Sequence, residues 1–330
     1  MCGKRARMPD GQFTTRRWRI VGHSVRGASH ERAGTPNQDA IHWLPASSGD
    51  ELPLVLALAD GHGSAKSFRS ETGARLAVET AAAVVRDFLK VQTESLSATK
   101  RMAEEWLPGA LVRGWQEAVA AHLAAHPLSP DELDPPHASR HANATVALTD
   151  SSNSLVAYGT TLLVAAVTES FILYLQLGDG EILNVSAGGE VSKPLPEDAR
   201  LFANETTSLC SPGAWRDFRV CFQVVSHAPP SLILLSTDGY PNSFLNATGF
   251  LKVGSDILAA IRAGGLDAVN ENIAAWLTES TRAGSGDDAT LGLICAEDAP
   301  QRDAHASHTN EDAAGQNRNG AKTGDACDEA

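Results

Sequence analysis

Aspartates stand at the ends of several apolar runs in this sequence. In four places an apolar run ends at, or begins just after, an aspartate that has a glycine or a second aspartate beside it. These are Ala59-Asp60-Gly61, Gly178-Asp179-Gly180, Thr237-Asp238-Gly239 and Gly286-Asp287-Asp288, and a fifth aspartate, Asp39, precedes the run at 41–44. If these ends converge, several carboxylates meet, and they repel one another unless hard cations neutralise them. The pattern therefore predicts a metal site.

The residue types also indicate which metal this site would take. Oxygen ligands alone select Mg²⁺ or Mn²⁺ over zinc. A glycine beside an aspartate lets the chain turn sharply and present a carbonyl oxygen to an ion. A single Asp-Gly pair is most often a solvated turn, so the prediction depends on the motifs taken together.

Composition and charge narrow the class of protein. The chain has 330 residues, 42% of them hydrophobic and 20% charged, as in ordinary globular domains. Its apolar runs are far shorter than the roughly 20 residues of a membrane-spanning helix, and the N-terminus lacks the apolar stretch of a signal peptide. Five cysteines without a Cys-x-x-Cys pair fit reduced thiols. We therefore expect a cytoplasmic protein without a membrane segment, and the net charge of −13 argues against nucleic-acid binding.

Strand and helix patterns alternate through the middle of the chain. The predicted strands are 17–26, 52–59, 160–168, 171–177, 181–185, 190–192, 219–225, 231–236 and 289–295, and helical spacing covers 74–88, 99–125 and 266–277. Hairpins combined with helical pairs favour an α+β fold of two stacked, mostly antiparallel sheets with helices outside. Residues 126–154 are expected to form a surface loop.

The two ends of the chain have a different composition from the middle. Residues 1–16 are polar and without periodicity, which is typical of a flexible leader. Residues 299–330 are polar with no large apolar side chain, so we expect a disordered tail. A single folded domain over 17–298 is predicted between them.

The order of the motifs resembles that of the type 2C protein phosphatases, the metal-dependent protein phosphatase family. The matching segments are Asn37-Gln38-Asp39-Ala40, Asp60-Gly61-His62-Gly63, Gly159-Thr160-Thr161, Leu177-Gly178-Asp179-Gly180, Ser236-Thr237-Asp238-Gly239 and Asp287-Asp288-Ala289-Thr290. Ala28-Ser29-His30 and Gly34-Thr35-Pro36 are similar to a bacterial branch. The resemblance spans 18–297 and implies a catalytic domain built as a four-layer α-β-β-α sandwich.

The resemblance also implies roles for individual residues. Two Mn²⁺ or Mg²⁺ ions would be held by Asp39, Asp60, Asp238 and Asp287 and by the carbonyl of Gly61, with Asp60 bridging them and Asp179 holding a third, weaker ion. Water activated by the two metals would attack phosphoserine or phosphothreonine directly. His62 would give a proton to the leaving alkoxide, although a loop histidine that only packs beside the metals is the competing interpretation.

Two departures from the family pattern leave other functions open. Gln38 stands where many members have a glutamate, and the phosphate-gripping arginine of many members has no direct counterpart. Arg32 is favoured for that contact, with His30 and Arg26 as further candidates. A catalytically impaired phosphoprotein-binding or scaffold protein, or a hydrolase of small phosphate esters, would share these features. The expected partner is a phosphoprotein made by a cognate serine/threonine kinase, in a signalling role, and the expected state is a monomer.

Overall fold

The computed structural model describes residues 17–46, 52–91, 95–129, 132, 151–197, 206–225 and 229–297. Within the chain, Arg16–Glu297 forms one compact unit. The predicted leader, the predicted tail and most of the predicted loop at 126–154 lie outside the described residues. Because none of these segments is described, the proposed boundaries at 16 and 298 stay predictions.

Ten strands in the described ranges form two five-stranded sheets. They are β1 (Arg17–Val25), β2 (Asp39–Leu44), β3 (Leu54–Asp60), β4 (Leu162–Val167), β5 (Phe171–Leu177), β6 (Glu181–Val185), β7 (Val191–Ser192), β8 (Arg219–Val224), β9 (Leu232–Ser236) and β10 (Ala289–Glu297). The first sheet has the order β1-β10-β9-β6-β7 and the second the order β2-β3-β4-β5-β8. All of the pairings are antiparallel.

Seven helices accompany the sheets in the same ranges. They are α1 (Ala28–Ala33), α2 (Ser70–Lys90), α3 (Leu96–Glu105), α4 (Leu107–Ala125), α5 (Ser151–Val156), α6 (Ala247–Gly264) and α7 (Leu266–Ala283). Helices α2 and α4 pack on the second sheet, and α6 and α7 pack on the first. The predicted four-layer α-β-β-α sandwich is confirmed. In the part of the chain that is described, no helix is both long and apolar enough to cross a membrane.

Strand β3 shows why this sequence needs two sheets and outer helices. Its residues from Leu54 to Ala59 are all buried, without the polar alternation of a half-exposed strand. Leu56 and Leu58 face the core between the sheets. Val55 and Ala57 face the core beneath α2 and α4. Both faces of the strand are therefore covered, and the Asp60 side chain is carried at its end.

Two helical predictions differ from the structure. The predicted helix at 99–125 is interrupted at Trp106, because Pro108 lacks the backbone N–H of a helix interior and stands instead in the first turn of α4. Helix α6 is not among the helices predicted from the sequence. Its start carries a readable signal, since the side chain of Asn246 accepts a hydrogen bond from the backbone N–H of Gly249 as an N-cap.

Arg69, the residue before α2, links this helix by hydrogen bonds to the end of α4. Its guanidinium makes a two-pronged contact with Glu132, at 2.6 and 2.8 Å. It also donates to the hydroxyl of Tyr158 at 2.7 Å and to the carbonyl oxygen of His126 at 2.6 Å. The arginine therefore holds the segment that follows Asp60 against the neighbouring helix.

Glu132→Gln should destabilise the protein near neutral pH but much less in acid. Arg69 holds the pKa of Glu132 at about 2, below the ordinary value of 4.5. Because the folded-state pKa is depressed, the stabilisation is complete above pH 4.5 and is lost as pH falls toward 2. Urea unfolding should show a loss of about 1–2 kcal/mol near neutral pH after discounting for solvent screening. A loss of the same size across the acidic range would contradict the assignment.

Candidate active site

Asp39 and Asp60 meet at the end of the second sheet. Asp39 begins β2, Asp60 ends β3, and the two residues are directly paired in the antiparallel register. The first sheet supplies the other two aspartates. Asp238 follows β9, and Asp287 precedes β10, the strand that pairs with β9. The four aspartates predicted to hold two metal ions therefore come from both sheets.

The electrostatics show that these carboxylates face one another. Burial raises the pKa of Asp60 well above its usual range, and the charges of Asp39, Asp238 and Asp287 raise it further. Burial also raises the pKa of Asp39, with the charges of Asp288 and Asp238 adding to the effect. These groups cannot all ionise together without a compensating positive charge.

Unpartnered oxygen atoms give a direct test of whether cations fit this site. Oδ1 of Asp39 and Oδ1 of Asp238 are buried and have no hydrogen-bond partner among the described residues. A buried carboxylate oxygen without a donor is costly. Hard cations prefer such oxygen ligands and would supply the missing charge, so the residues present fit a site for Mg²⁺ or Mn²⁺.

Two threonines orient the Asp39 carboxylate. The hydroxyls of Thr237 and Thr290 both donate to Oδ2 of Asp39, each at 2.7 Å. The backbone N–H of Thr290 in turn donates to the Thr237 hydroxyl at 2.9 Å. With Oδ2 fixed in this way, Oδ1 is left for an ion. Neither threonine is among the site residues predicted from the sequence, although each lies in a motif that resembles the family's.

Thr290→Val should weaken metal binding without unfolding the protein. The substitution keeps the shape of the side chain and removes one of the two hydroxyls that hold Asp39. We expect the affinity for Mn²⁺ to fall about 10- to 100-fold, as for other residues that orient a metal ligand. Isothermal titration calorimetry measures this, with Thr278→Val on α7 as the matched control. Equal affinities in the two variants would contradict the role.

Gly61 and His62 lie where the chain after Asp60 turns beside the 159–161 segment. Gly61 forms an antiparallel bridge with Thr160, and a Cβ at Gly61 would come within 2.7 Å of the Gln38 carbonyl oxygen, so only glycine permits this approach. The backbone N–H of His62 donates to the carbonyl of Gly159 at 3.0 Å. Burial lowers the pKa of His62, and the charge of Asp179 opposes that shift.

Asp179 is exposed in the turn between β5 and β6, although both of its neighbours in the chain are buried. Burial is the largest cause of the raised pKa of Asp238, and the negative charge of Asp179 raises that pKa further. Asp179, the residue predicted to hold a third ion, therefore lies at the edge of the carboxylate cluster, close enough for its charge to act on Asp238 and His62.

Asp288 also contributes to the site, although the sequence predicts no role for it. Its side chain is 2% exposed. Its two oxygens accept hydrogen bonds from the backbone N–H groups of Gly27 and Gln38, both at 2.6 Å. It therefore ties the segment before Asp39 to the loop that carries Asp287. The adjacent Asp287-Asp288 pair was the available signal.

The predicted phosphate-binding residues lie on α1 in different surroundings. Arg32 is exposed toward the end of the helix. His30 is largely enclosed beside Asp287 and Asp288. Arg26, the further candidate, donates from Nη2 to the carbonyl oxygen of His30 at 2.9 Å, and its buried Nε has no hydrogen-bond partner within the described ranges. The structure thus brings His30, but not Arg32, into contact with the aspartates.

Comparisons with known proteins give the family and the fold of this chain. A family model described as protein phosphatase 2C matches residues 26–278. The curated proteins contain no match. A bacterial serine phosphatase is similar in structure, with a TM-score of 0.51 and 12% identity over 85% of this chain and 98% of that chain. Stp1, a serine/threonine phosphatase from Staphylococcus aureus, has a TM-score of 0.50 and 12% identity over 89% of this chain and 99% of that chain.

A third solved structure is the catalytic domain of the serine/threonine protein phosphatase PstP in complex with two manganese ions. It has a TM-score of 0.49 and 18% identity over 86% of this chain and 100% of that chain. The family match rests on the model that covers residues 26–278, which include α1 to α6 and most of α7. This chain therefore belongs to the protein phosphatase 2C family.

Proposed function

We propose that this protein is a metal-dependent protein serine/threonine phosphatase that hydrolyses phosphoserine and phosphothreonine. The observation that carries the proposal is the meeting of Asp39, Asp60 and Asp238, where buried oxygens of Asp39 and Asp238 have no hydrogen-bond partner in the described part of the chain. Such a cluster is costly unless cations bind it. Membership of the family supports phosphate ester hydrolysis as the use of those cations.

Asp39, Asp60, Asp238 and Asp287, with the carbonyl of Gly61, would hold two Mn²⁺ or Mg²⁺ ions, and Asp179 would hold a weaker third. Such ions, when bound, lower the pKa of a shared water and neutralise phosphoryl oxygens. The protein's own contribution is to fix the carboxylates before binding. Thr237 and Thr290 do this for Asp39.

His62 is the proposed proton donor to the serine or threonine oxygen that leaves. Because burial lowers its pKa, His62 needs nearby negative charge to keep its proton, and Asp179 supplies such charge. Arg32 and His30 on α1 are the proposed contacts for the phosphate dianion. A guanidinium suits that partner, because its N–H groups match two phosphoryl oxygens at once.

The proposed substrate is a phosphoprotein made by a cognate serine/threonine kinase, and we place the protein in a cytoplasmic signalling role as a monomer. The direct test is Mn²⁺-dependent release of phosphate from a phosphothreonine peptide, with a chelator control. Turnover of small phosphate esters but not of peptides would instead favour a small-ester hydrolase.

A catalytically impaired, phosphoprotein-binding role is the second candidate, and Gln38 is the observation that favours it. Gln38 is 8% exposed, and its amide nitrogen donates to the Ser70 hydroxyl at 2.8 Å. Its Oε1 is buried, and no described residue donates a hydrogen bond to it. A neutral amide at this place holds a cation and its water less tightly than the glutamate of other members would. A wild-type protein that binds Mn²⁺ and phosphopeptide but releases no phosphate would establish this role.

Gln38→Glu should strengthen metal binding and weaken the metal-free fold. The added carboxylate increases the attraction for cations, but it also adds a buried negative charge beside Asp39. We expect about tenfold tighter Mn²⁺ binding and a lower melting temperature without metal. Calorimetric titration and thermal unfolding measure these effects, with Gln116→Glu on α4 as the control. Unchanged Mn²⁺ affinity would show that the side chain of Gln38 does not act on the ions.

A further inference from the structure

The imidazole of His30 lies between two aspartates at the start of β10. Its Nε2 is 3.6 Å from Oδ1 of Asp287, and its Nδ1 is 2.9 Å from Oδ2 of Asp288. One ligand atom from each of the three residues lies within 4.8 Å of the other two. The side chain of His30 is only 18% exposed, so it is not an ordinary surface histidine.

The helix that carries His30 is fixed to the loop that carries the aspartates. The backbone N–H of Ser29 donates to the Gly286 carbonyl at 2.8 Å. The N–H of Gly27 donates to the Asp288 carboxylate, and the N–H of Ala28 donates to the Thr281 hydroxyl at 3.2 Å. These hydrogen bonds join the start of α1 to the 286–288 loop and to the end of α7. The position of His30 relative to Asp287 is therefore set by the fold before any ion binds.

The two ring nitrogens face different partners, as they do in metal-binding histidines. Such a histidine usually turns one nitrogen toward a carboxylate, which fixes the ring and leaves the other nitrogen for the metal. Asp288, almost fully buried, lies against Nδ1 at 2.9 Å, although this contact is not aligned as a hydrogen bond. Nε2 then faces Asp287, a proposed metal ligand.

The distance between Nε2 and the Asp287 oxygen suits one shared cation. Two ligand atoms that are each about 2.1 Å from the same ion lie roughly 3.0 to 3.6 Å apart at ordinary coordination angles. The observed 3.6 Å is at the upper end of that range. A small rotation of the exposed Asp287 side chain would shorten it further.

We propose that His30 is a nitrogen ligand of the ion held by Asp287, with Asp288 orienting its ring. This inference rests on the proposed metal centre and moves His30 from a phosphate contact to the metal itself. Its chemical consequence is selectivity, because an imidazole ligand favours transition metals whereas Mg²⁺ prefers oxygen alone. The centre should therefore prefer Mn²⁺ over Mg²⁺ more strongly than an all-oxygen centre would.

Pulsed electron paramagnetic resonance tests the coordination directly. The full-length protein is loaded with one equivalent of Mn²⁺, once with ordinary histidine and once with histidine labelled with the heavy nitrogen isotope. We expect modulation from a directly bound histidine nitrogen in wild type and in the control His42→Gln, and its loss in His30→Gln. Wild-type spectra that do not respond to the label would overturn the proposal, even if His30→Gln does not fold.

Calorimetric titration separates the remaining roles of His30. The proposal expects His30→Gln to lower the Mn²⁺ affinity about tenfold or more, with a smaller loss for Mg²⁺. Unchanged Mn²⁺ affinity with weaker inhibition by inorganic phosphate would overturn it in favour of a phosphate contact. Equal losses for both metals with a lower melting temperature would overturn it in favour of a structural strap. Because metal binding is measured without turnover, a wild type that binds Mn²⁺ through His30 but releases no phosphate would refute only the proposed function.

Discussion

Asp60→Asn is expected to abolish Mn²⁺-dependent phosphate release and at the same time to stabilise the metal-free protein. The asparagine keeps the size of the side chain but cannot carry the negative charge that the proposed role of Asp60 as a metal ligand requires. Bound metal ions supply several kcal/mol of transition-state stabilisation, and each 1.36 kcal/mol corresponds to a factor of ten. We therefore expect a loss of about 10³-fold or more.

The gain in stability follows from the same electrostatics. Without metal, Asp60 must either stay ionised beside Asp39 and Asp238 or take up a proton at a raised pKa. Both choices cost free energy in the folded state. An amide removes that cost, so we expect the metal-free variant to gain about 1 kcal/mol or more, since each pH unit by which a pKa is raised corresponds to about 1.4 kcal/mol. If Asp60→Asn lost activity because it misfolded, its free energy of unfolding would be lower than that of the wild type, not higher.

The matched control for this experiment is Asp256→Asn, which removes an exposed carboxylate on α6 that pairs with Lys252. Phosphate release from a phosphothreonine peptide and urea unfolding in chelator are measured for both variants. The control should keep wild-type activity and stability. If Asp60→Asn retained Mn²⁺-dependent turnover, or lost stability in chelator, the proposed metal centre would be wrong.

Backbone register explains why the proposed ligands could be found in the sequence. Asp39 precedes one apolar run and Asp60 ends another, and the antiparallel pairing of β2 and β3 puts these two aspartates side by side. Asp238 and Asp287 flank β9 and β10 in the same way. A strand that ends in an aspartate therefore fixes the place of the carboxylate as soon as the pairing is known.

The residues that orient the ligands could not be identified from sequence in the same way. Thr237 and Thr290 reach Asp39 from the opposite sheet, through chain separations of 198 and 251 residues. Threonine is common in strands for its β-branched shape alone, so nothing local distinguishes these two hydroxyls. Asp288 cannot be told from its neighbour Asp287 by residue type, and it differs in that its carboxylate points inward, toward the N–H groups of Gly27 and Gln38. Such roles depend on tertiary contacts, which a single sequence does not specify.

Gly239 shows how closely the two loops of the first sheet must approach for the site to form. A Cβ placed on Gly239 would overlap the carbonyl oxygen of Asp288 and lie 3.2 Å from the Cβ of Asp287. The hydroxyls of Ser243 and Ser285 both donate to the Gly239 carbonyl at 2.8 Å, which holds the turn in place. Any side chain at 239 must therefore push the Asp238 and Asp287 segments apart.

Gly239→Ala should consequently lose metal binding and activity by a different route from Asp60→Asn. All of the carboxylates remain, but their separation changes, and a displacement of about 1 Å near a catalytic centre can reduce the rate about 10²-fold. The overlap should also lower the free energy of unfolding by about 1–3 kcal/mol. Mn²⁺ titration, phosphopeptide turnover and urea unfolding measure these effects.

The matched control is Gly249→Ala in α6, where the nearest atom to a Cβ is 3.7 Å away. Wild-type Mn²⁺ affinity in Gly239→Ala would show that Asp238 and Asp287 do not bind metal together, and the centre would then have to be rebuilt around Asp39 and Asp60 alone.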